Sequence, residues 1–302
     1  MLLKSRTESD ELLLMRSLNR RMELTDKDKF HYMNLEKGYA GEVKFDLLAE
    51  CLLEERYIIH DLLLEVNHSI VQIDTLIISQ YLLYLVDIKN YHGDFYLNSD
   101  KLYAAATNRE YTNPVDQIKR STTLLRQLLQ NLKENYLIDA SVIFINSEFT
   151  LFQAPLENSF ILPTQLNRFF NEINKTPSKL NEGHKKLAQK LLSLHLTKNP
   201  HTKIPEYHYD KLQKGFLCKS CGSLLISYKN YGIECGKCGQ FEKTEQAILR
   251  HVKEFQLLFP ERKITTQMIF EWCNADSHKR TVSRVLKKYY TPYGITNDMF
   301  YQ

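Results

Sequence analysis

Between Cys218 and Cys238 the chain places four cysteines within 21 residues, as Cys218-x2-Cys221, thirteen residues, then Cys235-x2-Cys238. No other stretch of the sequence restricts the local backbone so tightly. Each Cys-x-x-Cys forms a tight knuckle that presents two thiolates to one ion. Two knuckles complete a tetrahedral four-sulfur site suited to Zn2+. Gly222, Gly236 and Gly239 follow or flank the knuckles, where the chain must turn sharply. Leu224–Tyr228 and the segment around Ile233 read as a hairpin between them. Four thiolates leave no open coordination position, so the ion is expected to be structural. A redox pair or an iron–sulfur cluster suits this symmetric spacing less well. The other two cysteines, Cys51 and Cys273, lie among apolar neighbours and read as small buried side chains.

Composition sets the surroundings of this cluster. The chain has 302 residues, 43% of them apolar and 25% charged, which is ordinary for folded domains and long enough for two or three. No apolar run approaches the roughly 20 residues that span a bilayer. The segment from Met1 to Asp10 lacks a secretory pattern, so a cytoplasmic, non-membrane protein is expected, in which clustered cysteines favour metal over disulfides. Net charge is +4 overall, but from His201 onward 16 Lys and Arg stand against 10 Asp and Glu. A basic tail suits contact with phosphate, and a slightly acidic front suits contact with cations.

Periodicity divides the front. Residues 9–23 read as an amphipathic helix capped by Ser9, and Thr25-x-x-Asp28 as the start of another, punctuated by Gly38 and Gly41. From Tyr57 the period changes. Residues 57–66, 70–79 and 82–89 are three short apolar runs separated by Asn67-His68 and Gln80, the pattern of a strand meander. Weaker strands follow near 94–98 and 101–105. Asn113-Pro114 opens a helix, Ala140–Ile145 is a buried strand, Phe160–Leu162 reads as one more, and helices near 163–173 and 178–196 close this part. The domain reading is a helical segment at 1–35, a mixed α/β domain at 36–196, a linker at 197–212 with two prolines, the cysteine module at 213–241, and a helical module at 242–302. Within that last module, a helix over 242–258 ends before Pro260. Thr265 then starts another, Ala275–His278 is a turn, Arg280–Tyr290 is a further helix, and 291–302 forms a wing or a tail.

Polar residues inside the meander carry the chemistry. The run Tyr81–Ile88 is almost wholly apolar except for Asp87. Residues two apart in a strand share a face, so Asp87 and Lys89 point together, and Asp74 on the neighbouring strand can reach the same pocket. A carboxylate and an ammonium at the end of a buried strand are costly without pairing or function. Hydrolysis of a phosphodiester would use them. Two carboxylates can hold Mg2+ or Mn2+, and a lysine beside the metal can orient water or offset phosphate charge. Glu42 on the preceding helix could add a ligand. A lone Asp-x-Lys is commonplace as a surface ion pair, worth little by itself. The conjunction with Asp74 across one hairpin is what argues for a site.

Gly41-Glu42, Gln72-Ile73-Asp74, Asp87-Ile88-Lys89-Asn90 with Gly93, and Asn113-Pro114-x-x-Gln117 together resemble the nuclease-related domain (NERD) family, over roughly residues 36–150. That resemblance implies a PD-(D/E)xK nuclease-like fold, a mixed sheet flanked by helices. It implies that Asp74, Asp87 and Lys89 occupy the metal-binding and catalytic positions, Glu42 the helical acidic position, and Gln117 the polar helix position near the site. Asp87 stands where many members carry Glu, and the motif admits both. The cysteine module resembles a zinc ribbon. Its Lys219, Lys229, Lys237 and Lys243, with Tyr228 and Tyr231, combine charge and aromatic surface suited to nucleic acid. The two last helices resemble a helix-turn-helix, with Lys279, Arg280, Arg284, Lys287 and Lys288 on the second. A ribbon that only packs against a neighbour, and a basic helix without a nucleic-acid role, remain open readings of these two modules.

The expectation is a Mg2+- or Mn2+-dependent nuclease, with DNA expected ahead of RNA and with structural Zn2+. The alternative is a nuclease fold that binds nucleic acid or protein and cuts nothing. Enzymes that cut both strands often pair two sites, which would suit a homodimer, although no seam in the sequence marks one.

Overall fold

The computed structural model describes residues 1–53, 55–155, 159–229, 231–274, 279–294 and 299–302. The chain divides into two units: Met1–Glu8 with Asn34–His201, and Ser9–Met33 with Thr202–Gln302. The first 35 residues are therefore shared between the units. β1 (Leu2–Lys4) lies in the first unit. α1 (Asp10–Arg21) and the start of α2 (Asp26–Ala49) lie in the second. Ser9 caps α1 by accepting from the Leu12 amide at 3.2 Å, and Thr25 accepts from the Asp28 amide at the head of α2. Gly38 and Gly41 do not interrupt α2, which runs through both.

The meander forms at the expected places as β2 (Tyr57–Val66), β3 (Ser69–Ile78) and β4 (Leu82–Lys89). β5 (Gly93–Asn98) and β6 (Lys101–Ala104) follow, then β7 (Arg109–Tyr111), which has no clear sequence signal. α3 (Pro114–Asn131) is capped by Asn113, whose side chain accepts from the Val115 amide at 3.0 Å. β8 (Leu137–Phe144), β9 (Phe149–Phe152), β10 (Phe160–Ile161), α4 (Leu166–Lys175) and α5 (Glu182–Ser193) complete the unit.

Six of these strands make a mixed sheet in the order β1-β2-β3-β4-β8-β10. β2, β3 and β4 pair antiparallel, while β8 joins β4 in parallel. A second sheet in the order β7-β6-β5-β9 carries the aromatic cluster of Tyr91, Phe95, Tyr111 and Phe149. Alternation along β4 sends Leu83 and Leu85 into a core with Leu124, Leu125 and Leu128 of α3 and Leu187 and Leu191 of α5. Val86 and Ile88 enter the opposite core, with Phe45 of α2 and Phe170 of α4. A strand covered on both faces reads as a continuous apolar run, which is why Asp87 stands out within it. This is the mixed α/β sheet flanked by helices that a nuclease-like fold requires.

The second unit has β11 (Ile226–Lys229), β12 (Gly232–Cys235) and β13 (Phe241–Lys243) in one antiparallel sheet. The expected hairpin thus gains a third strand, and α6 (Thr244–Leu258) begins two residues later than its sequence suggests. α7 (Thr266–Trp272) is capped by Thr265, and α8 (Lys279–Tyr289) follows. The turn expected at Ala275–His278 lies outside the described residues. β14 (Pro292–Tyr293) pairs with β15 (Phe300–Tyr301), and Tyr301 bridges to Ile264. The wing or tail expected over 291–302 thus includes a two-stranded ladder. Among the described residues, no helix is long and apolar enough to cross a membrane.

Candidate active site and metal cluster

Asp74 and Asp87 lie one register step beyond the last β3–β4 pair, Thr75–Val86. There the two strands part. Asp74 fills the break with its own side chain, Oδ2 accepting the Ile88 amide at 2.8 Å. Asp87 is buried, 6% exposed. Lys89 Nζ lies 2.8 Å from its Oδ2 and 3.0 Å from its Oδ1. Gln117 on α3 closes a three-membered circuit. Its Nε2 donates to Asp87 Oδ1 at 3.0 Å, and its Oε1 accepts from Lys89 at 3.1 Å. Four of the five expected residues are therefore joined directly or through one backbone amide. The fifth, Glu42, sits on α2 and feels the charge of Asp74.

Burial dominates the titration of this pocket. Asp87 is pushed up to about 7, first by desolvation and then by the Asp74 charge, with Lys89 pulling the other way. Glu42 is pushed up to about 7 by desolvation and then by Asp74, and Arg6 opposes the shift. Lys89 is raised although burial alone would lower it, because Asp87 and Asp74 outweigh desolvation.

Local packing explains the residues around the site. A side chain at Gly41 would meet Asn90 Cβ at 2.5 Å, so glycine lets the loop after β4 lie against α2. Asn90 then donates to the Lys37 carbonyl at 2.7 Å and accepts from Asn146 at 3.1 Å. His92 pairs with Glu148 at 2.8 Å, both of them exposed. Sequence reasoning missed Arg6, Asp46, Asp61 and His60, which surround Glu42 and the backbone of Asp74. For Asp61 a signal existed: His60-Asp61 interrupts an apolar strand just as Asp87 does. Arg6 carries no such mark.

The donor chemistry suits a hard divalent cation. Asp87 Oδ2 is buried and makes no aligned hydrogen bond, but it lies 2.8 Å from the Lys89 ammonium, so an ion held there would share that carboxylate with Lys89. Two carboxylates on parting strands match an ion that keeps several waters. Among the described residues, Glu42, Asp74 and Asp87 do not bring three oxygens within 4.8 Å of one another, whereas the four cysteines do converge that closely.

That second cluster is assembled by two nearly identical knuckles. Gly222 (φ +68°) donates to the Cys218 carbonyl at 3.0 Å, and Gly239 (φ +71°) donates to that of Cys235 at 2.8 Å. The amides of Cys218 and Cys235 bond Ser223 and Gln240 at 2.9 and 3.0 Å. The Sγ atoms of Cys218 and Cys238, and of Cys221 and Cys235, are 3.6 Å apart. A tetrahedron with metal–sulfur bonds of about 2.3 Å has edges of about 3.8 Å. The four thiols are thus preset for one ion, as in a zinc ribbon.

Residues 37–145 match the model of the nuclease-related domain. All five expected residues of the carboxylate pocket fall inside that nuclease-related segment. Among curated proteins and among solved structures, nothing matches this chain.

The expected nucleic-acid contacts vary in how free they are. Lys219 and Lys237 are exposed. Lys229 pairs with Glu234 at 3.2 Å, and Lys288 with Glu245 at 2.8 Å. Arg280, Arg284 and Lys287 are exposed along α8, and their spacing of four and three places them in one stripe. Tyr231 is exposed on the ribbon.

Proposed function

We propose that this protein is a metal-dependent phosphodiesterase acting on nucleic acid, with its site at the parting of β3 and β4. The observation that carries the reading is the circuit of Asp87, Lys89 and Gln117 beside Asp74, built where the ladder ends. Asp74 and Asp87 would hold Mg2+ or Mn2+, which when bound supplies Lewis-acid stabilisation of phosphate charge and a more acidic water. Lys89 would present its ammonium to the phosphate or to the attacking water. Gln117 keeps that ammonium aimed by bonding both members of the pair. Glu42, titrating near neutrality, is suited to accept a proton from water.

The second unit would bind the same polymer. Zn2+ on Cys218, Cys221, Cys235 and Cys238 would hold the ribbon rigid. The α8 stripe, with Lys219, Lys229 and Lys237, would meet phosphates, and Lys288 would contribute only by giving up Glu245. DNA is the favoured substrate, because two helices with a basic second member suit a duplex groove.

One observation favours a binder that does not cut. Lys89 is closed on Asp87 and Gln117, and three carboxylates do not converge. The deciding experiment incubates purified protein with single- and double-stranded DNA and RNA in Mg2+, Mn2+ or EDTA, beside Asp87→Ala. Cleavage should need metal and vanish in the variant. Cutting in EDTA, or equal cutting by Asp87→Ala, would refute the proposed site.

A further inference from the structure

Arg6 reaches the carboxylate pocket from the N-terminal strap. Its side chain is 3% exposed. Nε and Nη2 grip Asp46 at 2.8 and 3.0 Å. Nη1 donates to Glu42 Oε2 at 2.8 Å and also to Asp61. Nη2 donates further to the Asp74 carbonyl at 3.0 Å and to Thr75 Oγ1 at 3.2 Å. One guanidinium therefore ties α2, β2 and β3 together.

The place it fills is a gap in the β2–β3 ladder. The strands pair at His60–Thr75 and again at Leu62–Ile73, but Asp61 and Asp74 between them do not pair. Asp61 has φ +50°, a turn that lifts its backbone out of the ladder. The Asp74 carbonyl then takes its hydrogen bond from Arg6. On the other side of β3, the Asp74 carboxylate takes the Ile88 amide. Asp74 is thus held from both sides by bonds that are not ladder bonds. Glu42, Asp46, Asp61 and Asp74 crowd four carboxylates around this point, and their repulsion needs a fixed cation. A lysine offers one point charge on a flexible stem and cannot supply the fork that spans these acceptors.

We infer that Arg6 is a positioning residue of the candidate site. Its guanidinium replaces the missing β2–β3 ladder bond at Asp74 and sets the Glu42 carboxylate. It acts through Glu42 and Asp74, which it holds in place. The link to catalysis rests on the nuclease reading above, whereas the positioning itself does not.

The test uses the full chain and the variant Arg6→Lys. In EDTA, amide hydrogen exchange at Ile88 should be at least about tenfold faster in the variant, with Leu85, deeper in the ladder, unchanged. Equal protection of Ile88 in both proteins overturns the inference. If exchange quickens throughout β4, Asp46→Asn, which keeps the arginine, decides by the same comparison. Calorimetric titration with Ca2+ should show weaker binding by Arg6→Lys. Cleavage in Mg2+ should lose about 10- to 100-fold in kcat, as for other residues that orient metal ligands. Full activity and Ca2+ affinity in Arg6→Lys, beside a dead Asp87→Ala, would defeat the role of Arg6 and leave the nuclease reading standing. A wild-type protein inert with every metal would defeat the nuclease reading, and Ile88 exchange would still judge Arg6.

Discussion

The carboxylate pocket of the first unit and the cysteine cluster of the second are both suited to cations, and they are built by opposite means. The cysteines come from one short segment, in which two knuckles repeat the same glycine turn and the same amide bonds. The pocket draws on the N-terminal segment, two helices and three strands, and it sits where regular pairing fails on both sides of Asp74. The first arrangement brings four donors together and would leave a bound ion no vacancy. The second pairs its most buried carboxylate with a lysine and holds two acids pushed up to about 7. A closed soft cluster stabilises a small fold, while a hard one is costly to the apo fold and useful to chemistry.

The sharpest way to break the comparison is Cys235→Ser. Zinc should fall from about one per chain to none by elemental analysis, and the ribbon should unfold, since such ions carry on the order of 10 kcal/mol of folding energy in isolated fingers. A folded, zinc-free ribbon would remove the contrast. Next in size, Asp87→Ala should cut cleavage by about a thousandfold or more, if the pocket does the chemistry. Its companion Asp87→Asn should do the same while making the metal-free protein more stable at pH 7.5, by about 1–3 kcal/mol in chemical denaturation, because an ionised carboxylate is no longer buried.

The pH dependence follows in sign. Asp87 is raised in the folded state, so its contribution is fully present below the unfolded value near 4 and is lost as pH rises through about 7. In EDTA the stability gap between Asp87→Asn and wild type should therefore narrow from pH 7.5 to pH 5; a constant gap would contradict the buried charge. The second unit runs the other way. His251 is wholly buried and lowered to about 3 by desolvation. It accepts the Leu217 amide at 2.8 Å on Nε2, and its Nδ1 lies 2.7 Å from the Ala247 carbonyl. Its contribution is present above about 6.5 and is lost as pH falls toward 3. Acid should thus loosen the second unit through the same change that relieves the Asp87 pocket.

Two smaller effects complete the series. Gln117→Ala should lower kcat by about 10- to 100-fold, since Lys89 and Asp87 lose a shared partner. Arg284→Ala should weaken DNA binding modestly and reduce the slope of log affinity against log salt by about one. An unchanged slope would take α8 out of the interface. An equal loss in Lys288→Ala would show that its pairing with Glu245 gives way on binding.

Much of this was legible in the chain because the signals are local. The meander follows from three apolar runs, and its strands form at 57–66, 69–78 and 82–89. Asp87 stood out because a strand buried on both faces has no ordinary place for a carboxylate. β1 and β9 were not legible, being short segments held by pairing with distant strands, and β7 is a three-residue strand without an apolar pattern, held by its pairing with β6. α6 starts late because the third ribbon strand takes Phe241–Lys243, and propensity could not anticipate that pairing.

By itself, the sequence determined the four-cysteine cluster, the order of the main elements, and the acids and lysine that share the end of the meander. Spacing of two and of 3.6 residues dictates which side chains point together, and this needs no tertiary information. Only the tertiary structure decided that β3 parts from both neighbours at Asp74, that Gln117 joins Asp87 and Lys89, and that Arg6 closes the gap. Those contacts join residues tens of positions apart, and their partners are chosen by where packed elements end.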